Sequence, residues 1–293
     1  MQKNKIKSLI HFHFIVFIFG FTAILGSLIS IDSIELVWYR MTLASIVLLL
    51  YAFIFKKKIT VSKSLMFKLL FSGMIIALHW ITFFKAIKVS NVSITLSILS
   101  LGAFITSILE PLFYKRKIIL YEVIFGLIIV IGMSLIFNSQ YQYIEGIIYA
   151  LISVLLSVFF GLINGKLINK ASSLVISIYE LIGGVFLISL LLLFSNDFNN
   201  EFFKLSEDDF FWLLILATVC TAYAFVISVD VLKHLTPYSL MLSINMEPVY
   251  GIILAIVFLN EFNNLSFDFY LGFILIFSSV LLNGIFKLKE KKT

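Results

Sequence analysis

Cysteine is nearly missing from this chain. Cys220 stands alone inside an apolar segment, so no internal disulfide can form. Charge is scarce: 13% of the 293 residues are Asp, Glu, Lys or Arg, about half the share in a soluble globular domain. There is no Walker sequence, which leaves ATP hydrolysis out of this chain. There is also no HExxH, no Cys/His cluster and no Gly-rich loop after a strand, so neither a metal nor another cofactor is expected. Long polar stretches are absent as well. The longest connection, "SNDFNNEFFKLSEDD", is too short for a soluble catalytic domain.

What is present is apolar. Hydrophobic residues make up 61% of the chain, and the mean hydropathy is +1.10. A soluble protein of this length could not bury so much apolar surface, so the composition predicts an integral membrane protein. Apolar runs of roughly 20 residues recur, which suits helices and not the alternating strands of a barrel. Spans are expected at 12–30, 35–55, 65–87, 91–114, 118–137, 144–168, 172–194, 208–232, 237–259 and 266–286. The start, "MQKNKIKSLIHFHFIVFIFGF", is basic like a signal peptide. Its apolar part runs too long and shows no small-x-small cleavage site, so it reads as an uncleaved first span.

Charge placement tests the count. With the N-terminus in the cytoplasm, the basic clusters around Lys3, Lys56, Lys63, Lys115, Lys166, Lys233 and Lys287 fall inside, while Lys85, Lys88 and Lys204 are exceptions that fall outside. The acidic residues Asp32, Glu145, Asp197, Glu207, Glu261 and Asp268 fall outside. An error of one span would scramble this sorting. It predicts a multi-pass protein of the cytoplasmic (inner) membrane with both termini cytoplasmic. The net charge of +6 is therefore a topology signal and not a nucleic-acid footprint.

The halves resemble each other. "KAIKVSNVSITLSILSLGAF" (85–104) aligns with "DVLKHLTPYSLMLSINMEPV" (230–249), "FGLIIVIGMSLIFN" (125–138) with "LGFILIFSSVLLNG" (271–284), and "VWYRMTLASIVLLL" (37–50) with "SIYELIGGVFLISL" (177–190). Five spans is an odd number, so the second copy enters the membrane upside down. The fold class read from this is an all-α membrane protein of ten transmembrane helices in two inverted five-helix repeats, 1–140 and 141–293. Inverted repeats can exchange conformations and so support alternating access around a midplane site. A duplicated membrane protein without transport is the bland alternative.

The chain resembles the drug/metabolite transporter superfamily, EamA-type. The resemblance is carried by "LVWYRMTLASIVLLL", "HWITFFKAIKVSNVSITLSILS" and "VLKHLTPYSLMLSINMEPVYGIILAIVFLNE". It implies a secondary transporter of a small polar metabolite, with export of amino acids leading and uptake as the other direction. Protons are a candidate second cargo, and membrane lipids are the surroundings. A membrane-embedded enzyme or flippase for a lipid-linked substrate is the rival; it needs clustered acids or histidines, and only scattered singles are seen. Ala103 stands where the family often keeps a proline matching Pro248, so the first half is expected to lack the mid-span kink.

Polar residues inside spans mark candidate sites. An ionised Glu247 near the middle of span nine costs about 3 kcal/mol on insertion scales. It must face a cavity, find a partner or carry a proton. Pro248, the expected helix kink, lacks an N–H and deprives the Ile244 carbonyl of its donor. Ser243, Glu247, Tyr250 and Gly251 share a face by their spacing, with Asn245 one step round. Arg40 and Glu180 occupy equivalent places in the two repeats. Both are cavity candidates that could pair with cavity groups or anchor gates at opposite faces; the plain reading is snorkelling to the interface for Arg40 and a local hydrogen bond for Glu180. His79 reads as a packing residue or a proton relay, beside Trp80. Ser100 belongs to a dense row of hydroxyls in span four. Trp38, Trp80, Tyr223 and Tyr250 are candidates for a cavity wall.

Overall fold

A computed structural model describes residues 2–290, without side-chain detail for 2–10, 263–264, 280, 284 and 287–290. The expected lysine clusters at 3–7 and 287–292 thus lie outside the described side chains. The described residues are helical, with no strand among them. In order they form α1 (Gln2–Leu28), α2 (Ser33–Ile54), α3 (Lys63–Val89), α4 (Val92–Leu99), α5 (Leu101–Tyr114), α6 (Leu120–Ser139), α7 (Ile144–Leu167), α8 (Ser173–Ser195), α9 (Glu207–Ala217), α10 (Ala224–Val231), α11 (Pro237–Ile244), α12 (Glu247–Leu259) and α13 (Phe267–Glu290). A π-helical turn, Thr218–Tyr223, joins α9 to α10. Among the described residues, nine stretches are long and apolar enough to cross a membrane, and α13 adds an apolar Phe267–Asn283. The protein is thus a bundle of spanning helices, with phenylalanines such as Phe53, Phe71 and Phe194 exposed on its outer surface.

Polar side chains start the helices. Ser62, Asn91, Ser172, Ser206 and Thr236 each accept a hydrogen bond from a backbone N–H three residues on, satisfying one of the donors that a helix start leaves open. The helix ends repeat the internal symmetry. Among the described residues, the non-glycine positions with positive φ are Lys56, Lys115, Asn196 and Asn260. Lys56 and Asn196 are 140 residues apart, the offset that relates Arg40 to Glu180; Lys115 and Asn260 are 145 apart, the offset that relates Ser100 to Asn245. The two copies therefore end equivalent helices with the same left-handed cap.

Two spans are broken near mid-depth, and the breaks are repeat mates. Helical bonding lapses at Ser100, between α4 and α5, and at Asn245–Met246, between α11 and α12. The expectation of a kink-free first half, drawn from Ala103, is corrected by this: the break there needs no proline. Asn245 Nδ2 donates to the Ser100 carbonyl at 3.0 Å. That bond offsets the penalty of an unsatisfied backbone group in an apolar interior. Pro248 is also placed differently from a mid-helix kink. It lies in the first turn of α12, where a missing N–H costs nothing.

Carboxylates from the opposite repeat hold the starts of these broken spans. Glu261 accepts from the Val92 and Ser93 amides, both at 3.0 Å, and from Ser93 Oγ at 2.5 Å. At the other end of the bundle, Glu110 accepts from the Tyr238 amide at 2.6 Å. Arg116 ties Glu110 to Glu122 at 3.3 and 3.0 Å. Negative charge at a helix N-terminus is favourable in itself. The halves are intertwined: α3 packs on α7 and α8, α1 on α12, and α6 on α13.

Candidate functional site

A cavity of about 110 Å³ lies between the two broken spans, with Leu99 and Gly102 on one side and Ile244, Asn245 and Glu247 on the other. α1, α2, α3, α7 and α10 complete its wall. Close packing sets its edges. A Cβ added at Gly20 would fall 2.9 Å from the Gly251 nitrogen and 3.2 Å from the Glu247 carbonyl oxygen, so α1 and α12 touch through glycines. Met241 lies against Gly161, where an added Cβ would be 3.0 Å from its Cε.

Glu247 is the first residue of α12 and lines this cavity, 8% exposed. Among the described residues, no hydrogen bond or ion pair reaches its carboxylate. Arg40 lines the same cavity at 2% exposure. This corrects the snorkelling reading: the side chain turns inward because partners wait there. Its Nε donates to Thr221 Oγ1 at 2.6 Å, its Nη2 to the Cys220 carbonyl at 3.3 Å, and its Cζ sits 4.0 Å from the Trp80 ring centroid. A guanidinium over an indole face is stabilised by the ring quadrupole. Nη1 is buried without a partner. The π-helical turn makes this arrangement possible. Thr221 Oγ1 donates to the Leu216 carbonyl at 2.7 Å, and the wound-out backbone presents the Cys220 carbonyl sideways.

His79 also lines the cavity. Its Nδ1 lies 2.9 Å from the Ser153 carbonyl and 2.8 Å from Ser153 Oγ. Ser153 Oγ donates to the His79 carbonyl at 3.1 Å, and α3 and α7 are thereby locked together.

Each half of the chain carries one copy of the same family signature. The EamA-like transporter family matches residues 7–138 and again 144–285. The chain belongs to the EamA-like transporter family. It is a multi-pass membrane transporter, and its cargo is a small molecule. A solved structure described as "Crystal structure of protein" superposes with a TM-score of 0.70 at 13% identity, covering 94% of this chain and 96% of that one. At that identity the likeness concerns the fold alone. It is one of 27 matching chains of solved structures. No curated protein matches.

The EamA-type bundle separates the remaining candidates. Asn245, His79, Trp80, Arg40 and Glu247 are brought to the cavity; Ser243, Tyr250, Tyr223, Ser100 and Glu180 are not among its lining. Ser243 Oγ turns back to the Ser239 carbonyl at 3.0 Å. Tyr250 faces α1, where its hydroxyl meets His13 Nε2 at 2.5 Å. Tyr223 bonds His11 and lines an open surface groove with Tyr51 and Lys57. Trp38 bonds Ser189 Oγ at 2.9 Å, away from the cavity. Ser100 contributes its carbonyl, as described, and no cavity surface. Thr221 and Cys220 hold Arg40, and Ser153 holds His79, contacts that the sequence did not single out. Only the Thr-x-x-Thr run at 218–221 hinted at local unwinding.

Proposed function

We propose that this EamA-type protein is a secondary transporter that carries a small zwitterionic metabolite, an amino acid foremost, out of the cell by alternating access. The observation that carries the reading is the pairing, in one cavity, of a carboxylate open to it at Glu247 and a buried guanidinium nitrogen without a partner on Arg40. No ion pair joins them. A solute bearing an ammonium and a carboxylate satisfies both, and a bidentate or charge-assisted bond at each end gives orientation as well as affinity. Asn245 and His79 Nε2 supply further polar contacts, and Trp80 holds Arg40 in place. The two breaks beside the cavity fit a midplane site between inverted repeats, with 1–140 and 141–293 as the exchanging halves. The acidic and basic loops suit an inner-membrane protein with both termini in the cytoplasm. The direction, export, follows the family resemblance.

Counterflow into proteoliposomes tests this: vesicles preloaded with unlabelled neutral amino acids should accumulate the labelled species, and vesicles without preload should not. Equal, slow leakage in both would end the reading. Orientation is tested separately. In right-side-out vesicles, a membrane-impermeant thiol reagent should label Asn260→Cys and leave Lys115→Cys unmodified, each in a Cys220→Ser background. Labelling of both from the same side contradicts opposite placement of the two repeat-related caps.

A further inference from the structure

Glu180 is the repeat mate of Arg40 but lies apart from the solute cavity, where α8 packs on α3 and Asn164 of α7 comes within reach. Ser72 on α3, Asn164 on α7 and Ser177, one turn earlier on α8, accompany it. All four residues are completely buried. Both Glu180 carboxylate oxygens, both Asn164 amide atoms and the Ser72 and Ser177 hydroxyls lack a hydrogen-bond partner. Ser72 and Asn164 are near enough to act on the carboxylate, yet no hydrogen bond of normal geometry forms. Native proteins rarely leave buried polar atoms unsatisfied, and six at one junction require an explanation.

The charge requires one too. An unpaired carboxylate in an apolar interior is neutralised or bound. The charged groups of the packed helices are engaged elsewhere or exposed. Arg40 holds Thr221 and Cys220, and His79 holds Ser153. Asp230 is bound by Ser173 and Lys233, Lys85 pairs with Asp32, and Lys88 donates to the Ile29 carbonyl. Glu35 is near the opposite end of α2 from the Ile54 terminus, within its first turn. Lys63, Lys68, Glu145 and Lys166 are exposed. The available atoms are hard oxygens around a single negative charge, which matches one monovalent cation and not a multiply charged ion.

We propose that Glu180, Ser72, Ser177 and Asn164 form a coupling-ion site that takes up one positive charge, a proton or a sodium ion, separately from the solute. This deepens the transport reading and rests on it. The site bridges α3 and α7–α8, which belong to different halves. Occupancy therefore biases the packing of one repeat on the other, as coupling requires.

The test needs no solute. Unfolding temperatures of the purified protein are measured in sodium chloride against choline chloride at equal ionic strength, and across pH. A bound ion at 100-fold over half-saturation should raise the wild-type midpoint by about 5 °C. A sodium response at fixed pH assigns sodium; a response to acid alone assigns the proton. Glu180→Gln should remove the response, and Glu247→Gln should keep it. Should Glu180→Gln yield no folded protein, Asn164→Ala carries the test, with the half-saturating ion concentration rising about tenfold. A wild-type midpoint indifferent to both ions, or a variant that responds like wild type, overturns the site. Counterflow is read independently, so failure here leaves the transport reading standing, whereas a failed counterflow would remove the coupling role and leave only the ion response.

Discussion

Glu247→Gln should reduce counterflow roughly 30- to 150-fold while the protein still inserts and unfolds at an unchanged or higher temperature. The side chains are nearly isosteric, so the cavity keeps its shape. The carboxylate makes no hydrogen bond or ion pair among the described residues, and the desolvation it escapes as Gln outweighs the lost attraction to Arg40 in the same cavity. What is lost is a charge-assisted hydrogen bond to the ammonium of the solute, about 2–3 kcal/mol, and each 1.4 kcal/mol is a factor of ten. Radiolabel exchange beside a thermal melt separates the two effects. Full exchange in the variant removes Glu247 from the solute site. A collapsed melt would instead make it a structural residue.

Gly73→Ala has the largest expected effect on stability, about 3 kcal/mol lost. A Cβ there would collide with the carbonyl group of Glu180, which is backbone and cannot rotate away. Gly183 meets the Leu70 carbonyl in the same manner, so α3 and α8 cross with their main chains in contact. Alanine gains about 0.8 kcal/mol of helix propensity over glycine. Overpacking a rigid crossing costs about 1–3 kcal/mol and sometimes more, and here the cost wins. Gly102→Ala is the control. The nearest atom to its added Cβ is a Val154 methyl at 3.4 Å, so that variant should melt within about 1 °C of wild type or slightly above. Equal melting of the two variants would mean that the α3–α8 crossing is looser than described.

Much of this architecture was legible because membrane burial writes a coarse code. Twenty apolar residues make a span, and capping residues such as Asn91 and Thr236 mark where spans begin. The pairing of Arg40 with Glu180 and of Ser100 with Asn245 was also readable, since the offsets of 140 and 145 persist through the helix ends. The rotational placement of side chains was less legible. The shared face assigned to Ser243, Glu247 and Tyr250 assumed one continuous helix. The break at Asn245–Met246 interrupts that register, and Tyr250 ends on α1 with His13. Spacing rules hold only within an unbroken helix. The break at Ser100 carries no proline to announce it, and it is stabilised by a bond to a residue 145 positions away. Arg40 was judged by its nearness to a span end, whereas the π-helical turn that receives it has no sequence periodicity of its own.

The native cysteine provides the most direct test. Cys220 lines the cavity and its carbonyl holds Arg40, so its reactivity reports whether water reaches the space between the halves. In proteoliposomes, a membrane-impermeant thiol reagent should modify Cys220 when added on either side alone, and saturating amino acid should slow the reaction from both. A Cys220 that stays unreactive from both sides while solute exchange proceeds would contradict a solute path through this cavity.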